Sequence, residues 1–157
     1  MKKVLFKYNQ FLKLLLSIMM LLLIVPVFLQ IVSRFVPFIP RYIWTEEIAR
    51  FAFIWIIMLG ATIAVREGTH FSVDMLRNFS PAVENRLKQI LLFLMLLFAI
   101  FFLVGGWGFA KTGMLQKSEI AGLPMLSIYI SWPLAGLSWI LFILEQLYDL
   151  YVKKEIK

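Results

Sequence analysis

The 157-residue chain has no cysteine, which excludes disulfides, thiolate metal sites and cysteine nucleophiles. Its one histidine is His70, and no H-E-x-x-H pattern accompanies it, so a metal centre has little to build on. Charge is scarce as well. Only 16% of residues are charged and 62% are hydrophobic, whereas an ordinary soluble domain is about a quarter charged and about half apolar. Four stretches carry no charge at all: Leu14–Ser33, Phe51–Val65, Gln89–Ala110 and Ile120–Leu144. No alanine precedes Ala49, so an A-x-A cleavage site is missing. The first apolar run is also longer than a signal-peptide core, and a retained span is expected rather than a cleaved leader.

What is present is lipid-compatible length. A helix needs roughly 20 apolar residues to cross a hydrocarbon layer ~30 Å thick. Three of the runs reach that alone, and the second does so once Ile48–Arg50 is added, with the Arg50 stem reaching toward the headgroups. The sequence, of mean hydropathy +0.87, predicts an all-α integral membrane protein with four transmembrane helices. The spans fall near 14–33, 48–66, 89–110 and 124–147, in a single membrane domain covering 1–157. The net charge of +7 does not point to nucleic acid, because the basic residues sit at span ends. Eleven lie before span one, between spans two and three, or after span four, against five on the other side. Positive residues collect on the cytoplasmic side, so both termini are expected there.

Pro26 is expected to kink span one, a break that membrane helices tolerate when neighbours compensate. Pro37 and Pro40 stop regular structure before Tyr42 and Trp44, which are expected at headgroup depth. Thr45 is the expected N-cap of span two, leaving Glu46 and Glu47 in its first turn, and Gly68 suits its C-terminal cap. Residues 67–80 read as an amphipathic loop on the inner face. Ser80 and Pro81 then open the next helix as N-cap and first helical residue. "GGWGFAKTG" is expected to weaken helix regularity near the outer end of span three, and Pro133 falls within span four.

Ion-coupled carriers and intramembrane enzymes need polar groups at depth, and the charge-free runs offer only Ser17, Gln30, Thr62, Ser127, Tyr129, Ser131 and Ser138, residues typical of interhelical hydrogen bonds. Gly105, Gly106 and Gly108 lack the spacing of a phosphate loop. The stretch "YIWTEEIARFAFIW" stands out, with both carboxylates three or four residues from Arg50 and able to reach it on one helix face. Three uses are open: a capped and anchored helix start, a carboxylate facing a basic residue of another subunit, or a proton-coupling acid. The entrance position speaks against the third. Gly60-x-x-x-Ala64, Gly106-x-x-x-Ala110 and Ser131-x-x-x-Ala135 are small-residue pairs that permit close helix approach, either inside the bundle or toward a partner. His70 reads as a loop or headgroup contact before a base or ligand.

Three quoted stretches carry a resemblance. "WTEEIARFAFIW", the following "MLGATIAVREGTH", and "AGLPMLSIY" ahead of Pro133 make the chain similar to the small, DctQ-type membrane subunit of tripartite ATP-independent periplasmic (TRAP) transporters. The resemblance covers essentially the whole chain. It implies a non-catalytic subunit without cofactors that scaffolds a large multi-span subunit in the inner membrane. That large subunit moves substrate with sodium, and a periplasmic binding protein delivers an organic acid of the C4-dicarboxylate or sialic acid class. Carried over by position, the motif residues are Trp44, Glu46, Glu47, Arg50, Gly60, Arg66 and His70. Trp44 is expected to set depth, the acids with Arg50 to form an interhelical or intersubunit ion pair, Gly60 to allow close packing, and Arg66 to anchor the inner end. Because the chain stops at "VKKEIK", the large subunit is expected as a separate polypeptide. A dimeric four-helix exporter would need a glutamate within its first span, which is absent here. An assembly factor for an unrelated membrane complex has equally silent spans, so only its partner would distinguish it.

Overall fold

The computed structural model describes residues 2–36, 38, 40, 42–68 and 81–155. It is all-helical: α1 (Lys2–Phe35), α2 (Trp44–Glu67), α3 (Pro81–Gly113), a single turn α4 (Leu126–Tyr129) and α5 (Ser131–Glu155). Four of these helices are long and apolar enough to cross a membrane. In hydrocarbon every backbone N–H and C=O must be bonded within the segment, and uninterrupted helices meet that demand.

The helices outrun the apolar stretches that define the spans. α1 begins at Lys2 and has 34 residues, about 51 Å at ~1.5 Å per residue, because its Lys, Gln and Leu positions favour helix outside lipid as well as inside. Pro26 lies within it. α2 stops where Gly68 turns left-handed at φ 65°, a conformation that costs glycine least. Glu67 is therefore the last residue of the helix and not part of a loop; residues 69–80 of the proposed amphipathic segment, with His70 and Ser80, lie outside the described residues. Pro81 is the first residue of α3, where its missing N–H has no partner to lose.

One expectation is corrected here, and the place of Pro133 within span four holds. α3 runs unbroken through Gly105, Gly106 and Gly108 to Gly113; these glycines do not interrupt the ladder. At Gly106 a Cβ would lie 2.8 Å from the Pro133 and Trp132 atoms of α5, so glycine is required there by close approach. Pro133 is the third residue of α5, in the first turn, where proline displaces no helical hydrogen bond.

α1 packs along α2, α2 against α5, and α5 against α3. α1 and α3 form opposite flanks and do not pack along one another. The shared core joins Leu12, Leu59, Ile63, Leu92, Phe142 and Ile143, toward the end of the bundle that carries both termini. Between α3 and α5 an aromatic series continues the contact, with Phe102 stacked on Trp132 at 5.3 Å and tilted to Trp139 at 4.9 Å. Within a bilayer such contacts stabilise through close packing more than through water exclusion, since lipid is as apolar as leucine. The many exposed Leu, Phe and Ile side chains of α1 and α3 fit that solvent.

Candidate functional site

Polar interactions gather at the two ends of the bundle. At the end away from the termini, the turn into α2 has Ile43 at the N-cap position with helical dihedrals (φ −62°, ψ −31°) and no side-chain cap. Thr45 is not the cap. Its hydroxyl donates backward to the Tyr42 carbonyl at 2.6 Å and accepts from the Gln30 amide of α1 at 3.4 Å. The residue is only 2% exposed, because α1 covers it and draws its oxygen away from the free N–H groups ahead. Trp44 remains partly exposed, its ring 5.8 Å from that of Tyr42.

The two adjacent carboxylates diverge. Glu46 meets Arg50 at 3.3 Å, with both side chains about two-thirds exposed. Glu47 does not share that guanidinium. Its Oε2 accepts the backbone N–H of Ala121 at 2.6 Å, a charge-assisted bond stronger than a neutral one. Ala121 sits at the tip of a tight loop. Ser118 N–H donates to Leu123 O at 2.8 Å, Met125 N–H to Gln116 O at 3.0 Å, and Leu123 N–H to Ser118 Oγ at 2.9 Å. Gly122, at φ +66°, makes the turn. Trp55 adds a second tie from α2, donating to Ser127 O at 2.8 Å. The start of α2 thus ties the α3–α4 connector through Glu47, and Trp55 ties α4, at the end of the bundle away from the termini. Adjacent acids on successive helical positions must point about 100° apart, which is the one signal in the sequence that a single arginine would not serve both.

At the termini end, Arg66 turns into the bundle. Its Nε lies 3.6 Å from Glu145 Oε2, the two side chains being 15% and 13% exposed, and its guanidinium covers the Phe142 ring at 5.3 Å and that of Phe6 at 5.8 Å. Lys13 pairs with Glu67 at 2.5 Å, and Gln146 donates to the Val65 carbonyl at 2.7 Å. These contacts tie α1, α2 and α5 together. Asn9 is buried here with its Oδ1 unpartnered.

Between the ends, the polar side chains close on themselves. Thr62 donates to Met58 O at 2.7 Å and accepts from Trp139 Nε1 at 3.0 Å. Ser131 donates to Ile128 O at 2.6 Å and Ser138 to Leu134 O at 2.8 Å. Tyr8 joins Ser138 at 2.7 Å. Among the described residues no group of three or more His, Asp or Glu side chains is placed to hold a metal ion.

The small-residue pairs separate by face. Gly106 lies inside the α3–α5 contact and Ala110 is buried, whereas Ser131 and Ala135 are buried on the side of α5 that faces Leu12 of α1 and Trp55 and Leu59 of α2. Gly136, which the sequence reading passed over, makes a closer approach than Gly106 between α3 and α5, since a Cβ there would stand 2.7 Å from Ala99 O and Leu103 N. At Gly60 an added Cβ would meet nothing within 4 Å. Gly60 and Ala64, four residues apart, share one stripe of α2 and are both half-buried.

Residues 23–152 match the family described as "Tripartite ATP-independent periplasmic transporters, DctQ component". The chain belongs to the DctQ family. A TRAP transporter small permease protein of Haemophilus influenzae is 33% identical over 122 residues, covering 77% of this chain and 74% of that protein. The sialic acid TRAP transporter permease protein SiaT of Haemophilus influenzae is 33% identical over 109 residues, which are 63% of this chain but only 18% of SiaT. The C4-dicarboxylate TRAP transporter small permease protein DctQ of Vibrio cholerae is 28% identical over 101 residues, 62% of this chain and 43% of the relative. The DctQ-family chain is a small subunit of a TRAP transporter and a multi-pass protein of the bacterial inner membrane. Glu47, Arg66 and the Gly60 face are therefore features of a transporter component, which associates with a large permease subunit.

Proposed function

We propose that this chain is a non-catalytic scaffold for the large permease subunit in sodium-coupled uptake of an organic acid. The observation that carries this reading is the closure of the polar groups at depth. Thr62, Ser131 and Ser138 are spent on carbonyls of their own helices or on neighbouring side chains, and the ionised pairs stand at the helix ends. A solute or ion crossing lipid needs polar groups along its route, so cargo passes through the partner. The names of two relatives, a sialic acid permease and a C4-dicarboxylate permease, support the substrate class. The charge asymmetry supports cytoplasmic termini. With that orientation, the loop fastened by Glu47 faces the periplasm and offers firm ground beside the large subunit for a substrate-loaded binding protein.

Expression of this chain alone gives no uptake of labelled sialic acid or succinate. Co-expression with the large subunit and binding protein gives uptake that stops when sodium is replaced by choline. Transport by vesicles containing this chain alone overturns the scaffold role. Uptake by the full set that ignores sodium overturns the coupling.

A further inference from the structure

At the termini end, α1, α2 and α5 leave a recess of about 370 Å³ between them. It lies where three charge-free runs stop together, at Lys13, Arg66 and Glu145, which is headgroup depth for a chain that spans a bilayer. Its rim carries the Lys13–Glu67 pair, about two-fifths exposed. Asp149, also on the rim, has a partner of its own. Deeper in stand Asn9, 5% exposed, and the largely buried Arg66 and Glu145.

These three side chains serve one another poorly. Asn9 Oδ1 has no hydrogen-bond partner among the described residues. Arg66 reaches Glu145 only through Nε at 3.6 Å, which is too long for a hydrogen bond. Buried polar groups have partners as a rule, so open acceptors and donors around one recess point to a ligand that brings both. Charge narrows the choice. An anion on Arg66 meets the Glu145 carboxylate, and a simple cation on Glu145 meets the guanidinium. A zwitterion sets each charge on its complement. Asn9 then specifies the cationic half, because a carbonyl oxygen accepts only from N–H or O–H. A primary ammonium has three such donors and a quaternary choline has none.

We propose that this recess binds the headgroup of phosphatidylethanolamine from the leaflet on the termini side. The ammonium donates to Asn9 Oδ1 and Glu145, and the phosphate accepts from the open N–H groups of Arg66. Depth selects a lipid over a soluble molecule, since headgroups are concentrated at that level. Size separates the headgroup from a single trapped water, for which the recess is far too roomy.

The test follows thermal unfolding of the full chain in detergent as lipid is titrated in. Four lipids with identical acyl chains are compared: phosphatidylethanolamine, its N-methyl and N,N-dimethyl forms, and phosphatidylcholine. All share one phosphate and one net charge, so Lys7 and the other lysines of this end act on each alike, and only the number of N–H donors falls. Phosphatidylethanolamine is expected to raise the melting temperature at a roughly tenfold lower mole fraction than phosphatidylcholine, the contribution of about one charge-assisted hydrogen bond. The methylated forms fall in order between them. Asn9→Leu narrows the gap to about threefold or less, because Glu145 alone then reads the ammonium. In lipid-free detergent Asn9→Leu melts no lower than the parent. A lower melting temperature there gives Asn9 a partner in water or in the chain itself, residues 69–80 included, and overturns the proposal. A flat response across the four lipids, or an undiminished gap in Asn9→Leu, does the same. An equal shift from soluble phosphoethanolamine places the source outside the bilayer and ends the lipid assignment. If Asn9→Leu does not fold, native mass spectrometry of the parent decides: retention follows the same order of lipids, and equal retention refutes the site. The order persists in the chain co-purified with its large subunit; a flat series there hands the recess to the partner and overturns the proposal.

Discussion

Replacing Glu47 by alanine removes the only side chain seen holding the Ala121 amide. A hydrogen bond to a charged group contributes about 1.5–3 kcal/mol. Glu47 is half-buried, so water recovers part of that value and the expected loss is about 1–2 kcal/mol. The loss should be local, because the loop keeps its own bonds from Ser118, Leu123 and Met125. Amide hydrogen exchange reads local opening directly, and at ~1.4 kcal/mol per tenfold the Ala121 N–H should exchange about 5- to 30-fold faster. Glu47→Gln retains an acceptor oxygen and should fall between the two. Glu46→Ala is the control, since its partner Arg50 is exposed and such a pair contributes only a few tenths of a kcal/mol. It should leave Ala121 unchanged. Equal exchange in Glu47→Ala and the parent, or the same acceleration in Glu46→Ala, would refute the assignment of distinct roles to these adjacent acids.

Arg66→Leu or Glu145→Leu alone should destabilise the detergent-solubilised protein by about 2–4 kcal/mol, because each strands a largely buried charge, while the double replacement should recover most of that; thermal unfolding of all three decides it. Gly106→Leu and Gly136→Leu should sharply lower the yield of folded, monodisperse protein in size-exclusion chromatography, since the new side chains meet backbone atoms below 3 Å, whereas Gly60→Leu should not. If Gly60→Leu also weakens co-purification with the large subunit, the open space beside Gly60 is part of the shared interface. Asn9→Leu removes a buried acceptor that has no partner and should leave stability unchanged or raise it by about 1 kcal/mol in a melting experiment.

Much of the fold is legible in the residue pattern because lipid imposes a single rule on the backbone. Charge-free runs of sufficient length, Pro81 at a helix start and Gly68 at a helix stop all have local causes, and local causes can be read locally. The site is less legible. Glu47 and Ala121 lie 74 positions apart, and nothing short of the packed bundle brings them together. Thr45 looks like a cap because its neighbours have the composition of a helix start, yet α1 overrides that preference by burying the hydroxyl against Gln30. The glycines near the end of α3 fail as a local signal for the same reason, since α5 supplies the contact that makes Gly106 useful within a helix.

Four rods set in a ring enclose a lumen, but a row with free flanks encloses none. With α1 and α3 at opposite margins, this subunit resembles a panel more than a pipe. Under the scaffold role proposed above, such a panel would offer the large subunit a broad face to lie against and no passage of its own.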